Sequence, residues 1–476
     1  MTKLNCLLVS IIVFGNLSAQ IKNPGFEIIS DSVSGFPASW SYQKVNGYFV
    51  TSDSLLKFSG NRSVRISNNE GQINQANFYQ TIPFKTEKIR KLCISVYIKT
   101  ENVERGAWLS AKMINPANGK TIGSATTKFI AGSANWEKHK IILIADRDAD
   151  IKISGVLRNK GTAWFDDITM EEIQSNDSTP PTEEVVKFIS EFLDTVQTHS
   201  LFTDSINWRV LRDNISKLSM GINSIEEAHT ILNYVIDKLR WAGDNHSSVS
   251  FPSFSVTEAS QMKNLITVPK GKYLGNHIGY VSVPDFNSAN DTASRIFADM
   301  LQQIIKRIDQ KHTINNWIVD LRDDRGGSMF PMIAGLVSML GYDTLGYFVN
   351  KKEREPWFIS KGDWMPPYFL KNRQPKIAVL IGPATASSGE ATAISFIGKT
   401  NTKLFGQTSG GYTSANDTYK LKDGSYLTLA ISIEADRKMK LYPSGITPDV
   451  IVKDDVDKNV DACLETAKKW ILEIQK

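Results

Sequence analysis

Residues 175–182 read SNDSTPPT, a stretch with no apolar side chain whose paired prolines can continue neither a helix nor a β-ladder. The hydrophobic period changes across it. Before it, short alternating runs such as SVRIS, CISVYIKT, HKIILIA and IKISGVL stand between Gly, Asn and Asp clusters, the pattern of half-buried antiparallel strands. After it, Val185, Val186, Phe188, Ile189, Phe192 and Leu193 recur at the spacing of an amphipathic helix. A second helix over 225–239 opens with the capping box Ser224 to Glu227. Beyond Gly279 the apolar runs IGYVSV, WIVDL and IAVLI alternate with helices expected over 289–309, 329–340 and 388–398, as in an α/β core with buried parallel strands. Two periods in one chain need two cores, and 476 residues at 41% hydrophobic can fill them. The pattern predicts a multidomain protein: an antiparallel β-sandwich over 20–174, a linker over 175–182, a helical subdomain over 183–255 and an α/β core over 256–476.

Charge and cysteine content narrow the function. Fifty-five Lys and Arg against 50 Asp and Glu give +5, or +4 without Lys3 of the leader described next, so nothing demands nucleic acid as a partner. Cys6, Cys93 and Cys463 lie far apart and fit neither a disulfide framework nor paired zinc-ligand spacing. Residues 1–19 carry one Lys, an apolar run from Leu7 to Phe14 and small residues up to Ala19, which reads as a secretory signal peptide. The run falls short of the roughly 20 residues that span a bilayer, and no later segment has that length and apolarity. The expectation is an exported protein, periplasmic or extracellular and soluble, with no membrane span.

Two patterns edge the first domain: NPGFE over 23–27, followed by FPASW over 36–40, and AWFDDI over 163–168. Together they resemble the first and last strands of jelly-roll carbohydrate-binding modules. The resemblance implies a glycan as a second partner and a structural calcium drawing on Glu27 and Asp167, hard oxygen ligands of the kind such ions take. Trp40, Trp108, Trp136 and Tyr48 are the aromatics available to stack on sugar rings, although an aromatic in a sandwich equally fills a core.

The second domain holds the residues suited to covalent chemistry. Three loops follow apolar elements, where an α/β site lies: WAGDNHSS with His246, DLRDDRGGS over 320–328, and GPATASSGE over 382–390. A serine on a strand-to-helix turn presents Oγ at the sheet edge, and amides at the start of the helix face a developing oxyanion. Ser387 has this placement, yet Ser387 and Glu390 also spell an ordinary S-x-x-E capping box. LRDDRGG and TASSGE resemble motifs of the tail-specific and tricorn-like serine peptidases, and GQTSGG over 406–411 and GITPD over 445–449 follow in the same order.

That resemblance implies a crotonase-like peptidase core with Ser387 as nucleophile. Oxyanion amides come from the Gly326–Gly327 loop and from Ser388, and no cofactor serves catalysis. Asp324 stands where the family commonly has Asn, beside the bulky Arg325. The position that the processing-protease branch fills with its lysine base is Tyr412 here, and Lys399, Lys403 and Lys420 fall at other spacings. GDNHSS instead resembles the DxH segment of the tricorn-like branch and offers His246 as base. An imidazole base needs an orienting partner. Glu434 and Asp436, in ISIEADR, and Asp244, beside the histidine, stay open as candidates. Only residues 247–277 separate His246 from the first core strand, too few for an inserted PDZ domain. The expected function is a secreted serine peptidase acting on peptides or proteins. The alternative is a non-catalytic binding protein on the same scaffold with a glycan-binding sandwich.

Overall fold

The computed structural model describes residues 13–15, 21–30, 35–70, 74–174, 178–252, 268–288, 290–360, 362, 364, 366–453 and 460–473. The chain divides into two compact units, residues 1–253 with 419–427 and residues 254–418 with 428–476.

In the first unit the alternating runs form the expected antiparallel sandwich. Its longest strand, β6 (Arg90–Ile114), pairs through its first part with β8 (Ile130–Ala145) and β10 (Gly161–Gln174), and through its second part with β7 (Thr121–Thr126) and β9 (Ala149–Arg158). One strand thus pairs with four others, and its register with β8 shifts between Val103 and Ala107, where Gly106 takes φ 127. The inward residues Phe26, Phe78, Val96, Leu109, Ile153 and Phe165 fill one core, each buried side chain contributing about 1.5–3 kcal/mol. Residues Val13–Gly15 of the expected leader pair with the end of β10; the rest of that leader, Cys6 included, lies outside the described residues, as do 175–177 of the linker.

The helical segment belongs to this unit as well, which differs from the division read from the period change. Helices α1 (Glu183–His199) and α3 (Ile225–Trp241) form where periodicity and the Ser224 cap place them, and α2 (Trp208–Leu218), which the sequence reading did not single out, lies between them. Ser224 accepts the Glu227 amide at 3.2 Å. The polar edge of α3 then meets the sandwich. The Asp146 carboxylate accepts from Lys238 at 2.5 Å, Tyr234 at 2.8 Å and Arg147 at 2.7 Å; burial alone would raise this acid, and the bonds from Arg147 and Lys238 hold it well below the usual carboxylate range. Asp237 takes Arg240 at 2.6 Å and the Ser124 amide at 3.3 Å. The bonds from Tyr234 and Lys238 to Asp146 and from Ser124 to Asp237 join residues 88, 92 and 113 positions apart, so a local reading of period misses them.

The second unit is built on a sheet ordered β12 (Lys270–Tyr273), β13 (Ile278–Ser282), β14 (Asn316–Asp320), β17 (Ile377–Ile381), β18 (Thr402–Gly406), β21 (Val450–Ile451). From β13 onward all neighbours are parallel and follow chain order. Both faces are covered. Trp317, Val319, Ile377, Val379 and Ile381 point into a core shared with helix α4 (Asp291–Lys311) and helix α5 (Met329–Gly335), while Ile318, Ala378 and Leu380 meet helix α8 (Ala462–Leu472). Burial on two sides explains why these strands read as unbroken apolar runs. The helix expected over 329–340 breaks at Leu336 and resumes as the one-turn α6 (Val337–Leu340). Helix α7 (Ser388–Ile394) follows β17. A smaller sheet places β15 (Gly346–Val349) between β16 (Arg354–Trp357) and β20 (Tyr426–Asp436).

Candidate active site

The C-terminal ends of β14, β17 and β18 lie side by side, and each releases one of the sequence landmarks at the same sheet edge. Ser387 sits between β17 and α7 with φ 53 and ψ −123. The ordinary caps of this chain do otherwise: Ser224 has φ −136 and ψ 155, and Asn290 has φ −88 and ψ 118. A non-glycine residue in the left-handed region costs of order 1–3 kcal/mol and persists only where its surroundings enforce it. The surroundings here are explicit. The Glu390 carboxylate accepts the Ser387 amide at 2.9 Å, the Tyr412 amide at 2.7 Å and the Gly411 amide at 2.9 Å, together with the Ser409 hydroxyl. Burial raises this acid and the four donors oppose the rise. GQTSGG thus supplies the donors that bind the elbow from the next strand, and Ser409 also takes the Ile446 amide of the GITPD loop at 2.7 Å.

The DLRDDRGGS loop closes on the elbow from the other side. A Cβ on Gly326, at φ 100, would lie 2.7 Å from Ser387 Cβ and 3.1 Å from the Ser388 nitrogen, so only glycine brings backbone this near Ser387. The Gly326 amide is spent on Asp324 Oδ1 at 3.0 Å, which removes it as an oxyanion donor. The Gly327 and Ser388 amides donate to no acceptor among the described residues. The Ser388 hydroxyl donates to the Gly327 carbonyl at 2.7 Å, tying the two segments that carry these amides. Ser387 is half-exposed and Gly327 exposed, so substrate has access to both.

His246 lies in the first unit, in the turn after α3. Asp244 is fully buried there and accepts the His246 amide at 2.9 Å and the Ser247 amide at 2.8 Å through Oδ1, fixing the turn. The other two acid candidates belong to the second unit. Asp436 is consumed by its own hairpin, accepting the Lys438 and Lys440 amides at 2.8 and 3.1 Å and the Tyr442 hydroxyl at 2.9 Å. Glu434 is buried with no partner for Oε2 among the described residues; burial, reinforced by nearby Glu390, pushes its acid well above the usual range. Sequence reading missed both the Glu390 cluster and the burial of Asp324. The Glu of TASSGE together with the Ser of GQTSGG was the available signal for the former.

The profile of peptidase family S41 matches residues 277–452. The nisin-resistance protein of Lactococcus lactis subsp. lactis is 32% identical over 281 residues, 57% of this chain and 84% of the relative. The chain belongs to peptidase family S41. A solved structure, a lipoprotein from Streptococcus agalactiae, is 26% identical with a TM-score of 0.51 over 60% of this chain and 96% of its own. The chloroplastic carboxyl-terminal-processing peptidase 2 of Arabidopsis thaliana is 24% identical over 173 residues, 36% of this chain and 31% of the relative. The matched residues accordingly contain both the Ser387 turn and the glycine loop described above.

The sandwich places its candidate residues less uniformly. Trp40, Trp108 and Tyr48 are buried and belong to the core side of the ledger; Trp40 packs on Phe26 and Phe78 at 5.1 and 5.4 Å. They cannot stack on a sugar. Trp136 is half-exposed, edge-on to Phe58, which itself stacks on Tyr97 at 3.5 Å. Glu27 and Asp167 do meet at one loop. Glu27 accepts the Asn61 amide at 2.8 Å and the Arg62 amide at 3.3 Å, and Asp167 accepts the Ser59 hydroxyl at 2.8 Å. Among the described residues no group of three or more His, Cys, Asp or Glu surrounds a common point. No helix of the described residues is long and apolar enough to cross a membrane.

Proposed function

We propose that the chain is an exported serine peptidase that cleaves peptides through an acyl-enzyme on Ser387. The observation that carries this reading is the positive φ of Ser387, maintained by Glu390 and flanked by Gly326. A mere cap has no use for that strain, whereas a nucleophile on a strained elbow gains exposure of its Oγ. Ser387 Oγ attacks the peptide carbonyl carbon while its proton passes to the base, which we assign on the sequence pattern to His246. The negative oxygen that forms is met by the Gly327 and Ser388 amides, an arrangement whose individual donors are worth about 10²–10³ in rate. The base returns the proton to the leaving amine, and water then hydrolyses the ester by the same path. For the third role we retain Glu434 and Asp244. Asp436 is the weaker candidate because its oxygens are occupied.

A fluorophosphonate probe tests the proposal, since it labels only an activated serine. Labelling of the full chain that Ser387→Ala abolishes is the expected result; an unlabelled wild-type chain would sink it. The relative named for nisin resistance makes nisin, a peptide, the first substrate to assay. Export predicts a mature chain beginning near Gln20 outside the cytoplasm.

The alternative reading, a binding protein on a peptidase scaffold, draws on one observation, the surface cluster of Trp136, Phe58 and Tyr97 that suits a sugar ring. Glycan retention by the wild type that Trp136→Ala removes, with no fluorophosphonate labelling, would favour it. For the sandwich we also propose a structural calcium bridging Glu27 and Asp167, with backbone carbonyls completing its oxygens. Chelation should then lower the melting temperature of the full chain, and an unchanged transition would dispose of the ion.

A further inference from the structure

Asp324 occupies an unusual position beside the nucleophile elbow. It is fully buried, its Oδ1 accepts the Gly326 amide, and its Oδ2 has no partner among the described residues. Its own carbonyl accepts the Ala386 amide at 3.0 Å, one residue before Ser387. A Cβ on Gly389 would lie 2.9 Å from its Cγ, so the carboxyl is pressed against the first turn of α7. It therefore touches the segments that carry both proposed oxyanion amides.

The charged groups around it offer no compensation. In its own loop, the Arg322 guanidinium is committed to Asp320 and Asp461, at 2.7 Å each, while Asp323 and Arg325 are exposed. From α7 the nearest titratable group is Glu390, already an acceptor for four donors. From the segment after β13 the group that faces it is Asp285, a second acid. An ionised carboxylate here would be buried with an unmet oxygen and no cation. It would also repel the negative oxygen that the neighbouring amides must receive.

We propose that Asp324 works as a neutral carboxylic acid, a positioning residue whose carbonyl oxygen holds Gly326 against the elbow and whose ionisation disables the oxyanion site. Burial raises this acid well above the usual range, the Gly326 bond opposes the rise and Asp285 adds to it. The inference rests on the peptidase reading for its consequence, but the protonation state is measurable without activity.

The first measurement is infrared difference spectroscopy of the full chain at neutral pH. A protonated-carboxyl band should be present in the wild type and diminished in Asp324→Asn; identical spectra overturn the proposal whatever the activity. The second is the pH profile of fluorophosphonate labelling and peptide turnover. The wild-type rate should fall on the alkaline side, and Asp324→Asn should lose that fall. Asp285→Asn, which leaves Asp324 in place, should move the fall to lower pH because it removes a charge that favours the neutral acid. Asp324→Ala should lower kcat by roughly tenfold or more with KM within about threefold, the split expected of an effect confined to the transition state. A fall that stays put in both Asn variants refutes Asp324 as its source. Persisting labelling in Ser387→Ala would instead refute the nucleophile, and the two failures are distinguishable.

Discussion

Asp166 in the sandwich and Asp324 in the S41 domain are both fully buried acids that grip a neighbouring loop by its amides. Asp166 stands at the bulge of β10 and receives three, from Phe58 at 2.9 Å, Ser59 at 3.1 Å and Asp167 at 2.8 Å. Asp324 receives one and leaves an oxygen unmet. Both acids are raised by burial, Asp166 to about 6 and Asp324 well above the usual carboxylate range. Where the hydrogen-bonding capacity of a buried acid is used up, it fastens a structure. Where part of it is left over next to exposed amides and a strained serine, it is available to chemistry.

The strongest way to break this contrast lies at the serine. Ser387→Ala should abolish fluorophosphonate labelling, and His246→Ala should lower turnover by roughly 10³-fold or more, since triad members act as a unit. Retained turnover in His246→Ala with loss in Lys399→Ala or Lys403→Ala would move the base to a lysine and leave the serine in place. Glu390→Ala comes next. It strands four donors in a buried site and should cost about 3–5 kcal/mol in chemical denaturation, with activity lost per folded molecule as the elbow relaxes. An active, stable Glu390→Ala would mean that the strain at Ser387 is not maintained as described.

The sandwich side of the contrast is tested by Asp166→Ala, expected to cost about 1–3 kcal/mol through its stranded amides while leaving labelling of Ser387 unchanged. Its pH dependence has a definite sign. The folded-state value of about 6 lies above the ordinary 3.8, so the folded chain binds the proton more tightly than the unfolded one. The stabilisation, read as the wild-type minus variant difference, should be full below about pH 4 and shrink as pH rises through about 6. A difference that grows across that window would contradict the assignment. Ser388→Ala should have the smallest effect, below about tenfold in turnover, because alanine keeps the amide and only the hydroxyl bond to Gly327 is lost.

The sheet and the strand-to-helix turn at Ser387 were legible because their signals are local. Strands β14 and β17 are buried on both faces and so lack polar alternation, and Ser387 sits in a motif with its landmarks in order. What the sequence hid depends on distant partners. The backbone strain of Ser387 is enforced from Gly411 and Tyr412, and the grouping of α3 with the sandwich hangs on Asp146 meeting Lys238. Trp40 and Trp136 look alike in sequence, yet one is buried against Phe26 and Phe78 while the other stands half-exposed beside Phe58. Asp436 resembled a catalytic acid until its own hairpin folded back to supply Tyr442 as donor.

The order of the parallel strands has a kinetic consequence. From β13 to β21 each strand pairs with the strand of this sheet made before it, so the sheet grows by addition at a single edge. A chain folding as it leaves the ribosome can lay down these strands in the order of synthesis. The donors that hold Glu390, and through it the strained conformation of Ser387, arrive only after β18, so the elbow lacks them until synthesis reaches Tyr412. Order of assembly thereby delays the nucleophile's final geometry until the fold around it is nearly complete.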